Sequence, residues 1–203
     1  KQAFYKNEKL KSIDLTGSNL TLIDTGAFQN CISLIEINLS GNNLVIESSA
    51  FYDDKYLKNV TFGAGIKSIG SNAFYNCLSI SELNFFDGLD RIYSDAFRNC
   101  KSISLVTLPN TLSSIGNSAF YNCERITSVH IPDKVTEIQG GCFTNCHLLK
   151  KVTIGSGCTS ISPTAFTGAN SIEEIIVEED NKKYTSVDGV LYNNDKTTLV
   201  LYP

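Results

Sequence analysis

The side chains that could do chemistry in this sequence are seven cysteines, two histidines and a run of carboxylates. Cys31, Cys77, Cys100, Cys123 and Cys146 recur at multiples of 23 residues. That spacing serves a disulfide framework or a thiolate metal site only if the thiols converge. Cys142-x-x-x-Cys146-His147 offers half of a zinc set, with no second Cys/His pair suitably spaced. His130 and His147 are potential acid–base groups, yet neither falls in register with a Ser or Cys nucleophile. Glu173, Glu174, Glu178, Glu179 and Asp180 could attract calcium, but they read more simply as a solvated face. Gly63-Ala-Gly65 and Gly155-Ser-Gly157 lack the full helix that a phosphate loop requires and read as bends at matching positions. No residue is therefore assigned a catalytic or metal-binding role, and no cofactor is expected.

The cysteine spacing belongs to a longer period. Eight of the eleven Phe form one ladder, Phe4, Phe28, Phe51, Phe74, Phe97, Phe120, Phe143 and Phe166, whose first step is 24 residues and the other six 23. Ala precedes the Phe in every case but one, where Cys142 stands. Apolar pairs travel with the ladder, among them Ile37/Leu39, Val60/Phe62, Val106/Leu108, Val129/Ile131 and Val152/Ile154, alternating with polar residues as a half-buried strand does. A second apolar pair recurs as Ile66/Ile69, Leu89/Ile92, Leu112/Ile115 and Val135/Ile138. Thr25, Ser48, Ser71, Ser94 and Asn117 precede the Ala-Phe step where an N-cap would stand, predicting one short helical turn per repeat. Asn30, Asp53, Asn76, Asn99, Asn122, Asn145 and Gly168 follow the Phe, and this exchange of Asn for Gly predicts a left-handed backbone position.

One such unit cannot bury its apolar side alone, but stacked units can, with parallel strands about 4.8 Å apart. The predicted fold is a repeat solenoid of α/β type: about eight 23-residue coils with a parallel β-sheet and short helical turns over residues 1–180. Stacking sends the ladder Phe and all seven thiols inward. Parallel Cβ vectors on neighbouring coils keep thiols too far apart for a bridge, so buried free thiols are expected. Residues 181–203 read as a hairpin cap of the same domain: Val187–Tyr192, a turn at Asn193-Asn194-Asp195, then Leu199–Tyr202. The chain opens inside a repeat at Ala3-Phe4, carries no Met and closes on Tyr202-Pro203, so a fragment of a longer protein is expected.

The repeat Leu-x-x-Val-x-Ile-Pro-x-x-Val-x-x-Ile-x-x-x-Ala-Phe-x-Asn-Cys resembles the leucine-rich repeat of the BspA-like (Treponema-type) family. Ile126-Thr-Ser-Val-His-Ile-Pro-Asp-Lys-Val-Thr-Glu-Ile138 followed by Gly-Cys-Phe-Thr-Asn-Cys146 shows it best. The resemblance covers residue 3 to about 180, and the tail resembles a recurrent insert of that family. It implies a non-catalytic protein-binding or adhesion module, extracellular or at the cell surface, whose partner is a host matrix or cell-surface protein. A structural spacer within a larger surface protein is the alternative.

Composition agrees with this frame. The 42% hydrophobic content argues against disorder. Net charge is −4 with scattered Lys and Arg, a poor match for nucleic acid or an anionic membrane. No apolar run approaches the ~20 residues of a bilayer span. Asn19-Leu-Thr21, Asn38-Leu-Ser40 and Asn59-Val-Thr61 are glycosylation acceptors, relevant only in a eukaryotic secretory route. Strand register leaves a middle row Asp14, Asn38, Thr61, Asn84, Thr107, His130, Thr153 and Ile176 free of packing duty, with flanking rows that include Leu105 on one side and Phe86 on the other. Phe86 and Leu105 break the polar pattern there. With Asn84, Thr107, His130 and Lys151 they are the predicted partner-binding residues, although single exposed apolar side chains are also ordinary.

Overall fold

The computed structural model describes residues 1–202. Each coil begins with a strand of the first row: Ser12–Asp14, Glu36–Leu39, Asn59–Phe62, Glu82–Asn84, Leu105–Thr107, Ser128–Ile131, Lys151–Ile154 and Glu174–Val177. A second row follows as Leu22–Ile23, Leu44–Ile46, Ile66–Ile69, Arg91–Ile92, Ser114–Ile115, Glu137–Ile138 and Ser160–Ile161. Seven complete coils and an eighth leading strand therefore make up a parallel β-solenoid. Pairing keeps the sequence register, as in Val129 opposite Val152 and Val152 opposite Ile175. Hydrogen bonding divides the first row into three parallel groups, with breaks after Asn59–Phe62 and after Leu105–Thr107. The first break lies where Phe62 and Phe85 put two aromatic rings, 4.7 Å apart, beneath the sheet.

The ladder Phe stack along the core with ring centroids 4.9–5.6 Å apart and interplanar angles of 4–10°. Phe51 to Phe143 are fully buried, whereas Phe4 is 43% exposed. Phe4 was expected inside; it is covered on one side by Phe28, and among the described residues no ring stacks on its other face.

The predicted helical turns do not form: among the described residues there is no α-helical or 3-10 segment. The physical reason is where the amides go. From Phe4 to Phe143, each ladder Phe N–H donates to the carbonyl of the residue before Phe in the next coil, as in Phe51 to Ala73 at 2.7 Å and Phe97 to Ala119 at 2.8 Å. Two residues before every ladder Phe except Phe166, the backbone turns left-handed, at Gln2, Gly26, Ser49, Asn72, Asp95, Ser118 and Gly141. That reversal breaks a continuous right-handed turn and aims every second N–H at the neighbouring coil. The presumed N-caps contribute their carbonyls instead: Gly26 N–H donates to the Ser48 carbonyl and Asn72 N–H to the Ser94 carbonyl, at 3.1 and 3.0 Å. Among the described residues, a cap-like hydroxyl contact occurs only at Ser162, whose Oγ accepts from Thr164 N–H at 3.4 Å.

The predicted left-handed column does form. Asn30, Asp53, Asn76, Asn99, Asn122 and Asn145 have φ of 57–62°, and Gly168 has 75°. Their side chains build a ladder in which each Asn Nδ2 donates to Oδ1 one coil earlier at 2.8 Å, from Asn145 back to Asp53. The ladder thus ends on a carboxylate, the stronger acceptor.

The C-terminal segment is a three-stranded antiparallel sheet rather than a single hairpin: Tyr184–Val187, Val190–Asn193 and Leu199–Leu201. Asp188 and Gly189, both at positive φ, form the two-residue turn that joins the first two strands. Tyr184 and Leu191 are buried against the last coil.

Candidate functional site

The outward residues of the first-row strands form the face on which the predicted site lies. Glu82–Asn84 pairs with Leu105–Thr107 so that Glu82 stands opposite Leu105 and Asn84 opposite Thr107. Thr107 Oγ1 donates to Asn84 Oδ1 at 3.5 Å. Phe86 is 54% exposed and Leu105 46% exposed. The register separates them: Phe86 lies beyond the C-terminal end of its strand, while Leu105 begins the next. Four residues of extended chain is about 13 Å, so the two form a diagonal band with Asn84 and Thr107 between them, not a single cluster.

Further along the face, His130 Nδ1 lies 3.9 Å from Glu178 Oε1, and Lys151 Nζ lies 2.9 Å from Glu174 Oε2. The acidic run is thus partly neutralised by lysines from the preceding coil, Lys151 at Glu174 and Lys150 at Glu173, the latter at 2.7 Å. Near the N-terminus the same face becomes a polar groove lined by Ser12, Asp14, Glu36, Asn38, Asn59 and Thr61. There Asp14 accepts from the Thr16 hydroxyl at 2.5 Å and Asn38 Nδ2 donates to Thr16 Oγ1 at 2.7 Å. The Thr16 hydrogen bonds hold the Asp14 carboxyl below its ordinary value.

The cysteines lie inside the coils. All seven are free and buried. The thiols of Cys31, Cys77, Cys100, Cys123 and Cys146 donate to the carbonyl of a ladder Phe one coil earlier, at 3.0–3.4 Å. Burial pushes Cys31 up to about 11 and Cys146 up to about 12, so these thiols are held protonated. His147 Nδ1 contacts the Gly168 carbonyl at 3.0 Å. Among the described residues no group of three or more His, Cys, Asp or Glu could hold a metal ion. No helix is long and apolar enough to cross a membrane.

Six copies of the BspA type leucine rich repeat region match the sequence, over residues 1–104 and 67–196. The chain belongs to the BspA-type leucine-rich repeat family. No curated protein matches it significantly. Among solved structures, the leucine-rich repeat protein TpLRR of T. pallidum is similar with a TM-score of 0.72 at 26% identity, covering 81% of this chain and 78% of that one. A leucine rich cell surface protein of Faecalibacterium prausnitzii gives 0.63 at 24% identity, with 83% of this chain and 54% of that chain covered. The pneumococcal vaccine antigen PcpA gives 0.66 at 22% identity, with 97% and 47% covered. The chain therefore spans about half the length of the latter two proteins. A BspA-type solenoid of this kind is suited to serve as a protein-interaction or surface module: its rigid ladder leaves one sheet face free of packing duty.

Proposed function

We propose that this BspA-type solenoid is a non-catalytic protein-binding module of the cell surface, acting in adhesion through its exposed sheet face. The observation that carries the reading is the half-exposed pair Phe86 and Leu105 on an otherwise polar face. Aromatic and aliphatic anchors among polar neighbours are what a protein interface uses, and Asn84, Thr107 and His130 supply the polar surround. Lys151 stands at the end of the band, where Glu174 already pairs with it, so a partner there must compete with an internal ion pair. The location and the class of partner, a host matrix or cell-surface protein, follow from resemblance of the repeat. Display on a longer solenoid would add avidity to a weak single contact.

A spacer role is the second reading. It is favoured by the C-terminal half of the face, where Lys151–Glu174 and His130–Glu178 satisfy one another. Binding to immobilised extracellular-matrix proteins separates the two. The Phe86→Asp/Leu105→Asp variant is expected to lose at least tenfold in retention. Equal retention by the variant would remove the band from consideration, and no retention of either form would favour the spacer.

A further inference from the structure

A second exposed apolar surface lies off the sheet face, on the flank that leads into the first-row strands. Ile32, Ile35 and Tyr56 are 46%, 47% and 63% exposed and line a groove of ≈ 460 Å³. Lys11 and Lys58 complete its rim. These residues come from consecutive coils held in strict register, since Ile35 N–H donates to the Lys11 carbonyl and Lys58 N–H to the Ile35 carbonyl, both at 2.8 Å. Ile35 therefore sits directly between two lysines in one column.

The same column shows how its lysines are satisfied elsewhere. Six coils beyond Lys11 in the stack, Lys150 stands beside Glu173, and Nζ meets Oε1 at 2.7 Å. Lys11 and Lys58 have no such partner among the described residues, because the position between them is Ile35. Glu36, the next residue along the chain, lines the sheet-face groove instead. An apolar floor bracketed by two unpaired ammonium groups is complementary to one kind of ligand. We infer that this flank docks an acidic peptide segment that carries an aliphatic or aromatic anchor between two carboxylates. Lys11 and Lys58 are two coils apart, about 9.6 Å. In an extended peptide, alternate residues share one face, so an acid–x–apolar–x–acid pattern presents anchor and charges together, its outer residues about 13 Å apart, a difference that the long lysine side chains take up. The anchor covers Ile35 between Ile32 and Tyr56, and the flanking carboxylates meet the lysines as Glu173 meets Lys150.

The inference is independent of the Phe86–Leu105 band, and the test keeps the two apart. The probe is a synthetic Glu-Thr-Phe-Thr-Glu peptide titrated into the isotopically labelled protein, followed by amide chemical shifts. Saturating shifts are expected at Ile32, Ile35 and Tyr56. A Lys-Thr-Phe-Thr-Lys control is expected to bind at least tenfold more weakly, as is the acidic peptide to a Lys11→Glu/Lys58→Glu variant. Ile35→Glu, which places a carboxylate between the two lysines, should occlude the groove with the fold intact. Phe86→Asp/Leu105→Asp should leave the titration unchanged. The inference is overturned if acidic and basic peptides bind alike, if the lysine variant binds normally, if the shifts fall on the sheet face, or if no shift is seen at millimolar peptide. Shifts that follow protein concentration without peptide would make a second copy the occupant and overturn it equally.

Discussion

Asp54 occupies the register that Cys31, Cys77, Cys100, Cys123 and Cys146 hold in other coils, and it is fully buried. Its Oδ1 accepts from Cys31 N–H at 2.7 Å, while its Oδ2 is buried without a partner. Elsewhere in the column the side chain is a donor to a Phe carbonyl one coil back, which for Asp54 would be Phe28. A protonated carboxyl reproduces that role; a carboxylate does not. Desolvation pushes the carboxyl up to about 8, the Cys31 hydrogen bond offsets part of this, and the Asp53 charge adds to it. The folded state therefore holds a proton that the unfolded chain has released above about pH 4. Stability is fullest below that pH, falls as pH rises towards 8, and is flat beyond. The total loss is on the order of 5 kcal/mol. Asp54→Asn keeps an acceptor for Cys31 and gains a permanent donor. Urea midpoints at pH 5 and pH 8 are expected to differ much less in the variant, and at pH 8 the variant is expected to be the more stable form. An unchanged pH dependence would show that Asp54 is ionised in the fold.

At the scale of the element, the turn after each Phe depends on two properties of Asn. It tolerates the left-handed region, and its amide both donates and accepts along the stack. Asn99 shows both: φ is 62°, it donates to Asn76 and it accepts from Asn122. Asn99→Gly loses the ladder bonds but keeps the backbone. Asn99→Ala loses the bonds and adds the left-handed penalty, about 1–2 kcal/mol. Thermal denaturation is expected to rank wild type above Gly above Ala; Ala equal to Gly would remove the conformational part of the argument. The chain's Asn/Gly exchange made this position legible from sequence. The absence of a helical turn was not legible, because Thr25 and Ser48 have capping chemistry whichever way the following amides point. Only stacking shows that the next coil supplies a better acceptor. Gly65 and Gly157 were legible as bends, and the structure adds why they are Gly: an added Cβ would collide with the Gly41 and Asp133 carbonyl oxygens of the neighbouring coil.

Across the whole molecule, each coil is stabilised by its neighbours, so the ends behave differently from the middle. The C-terminal end is held by Asn181, a buried amide. Its Nδ2 donates to the Gly155 and Cys158 carbonyls at 2.9 and 3.0 Å, and its Oδ1 accepts from the Lys183 and Tyr184 amides, both at 2.8 Å. Ile175 N–H also donates to the Gly189 carbonyl at 3.0 Å, tying the cap to the last first-row strand. Asn181→Ala removes four hydrogen bonds at this junction and leaves buried carbonyls unmet, a cost of roughly 2–4 kcal/mol. Hydrogen exchange is expected to quicken in Lys151–Ile154, Glu174–Val177 and Tyr184–Val187, with Glu36–Leu39 unchanged. Uniform loss of protection would mean that the solenoid unfolds as one unit. Asn181 escaped sequence reading because it continues a column that is apolar at Ile66, Leu89, Leu112, Val135 and Cys158, so nothing in the period announces a buried amide there.

The sequence by itself determined the coil: its length, its two strands, its inward Phe and thiols, its left-handed Asn, and the outward rows containing Phe86 and Leu105. Each of these is a local alternation or a fixed period, and periodicity survives in one dimension. Tertiary structure alone decided where amides, charges and ends find their partners. It sent the turn amides to the next coil, spread Phe86 and Leu105 into a band, left Phe4 half open, buried Asp54 among thiols and set Ile35 between two lysines. Those outcomes depend on which residue of one coil lies against which residue of the next, and that contact exists only once the coils are stacked.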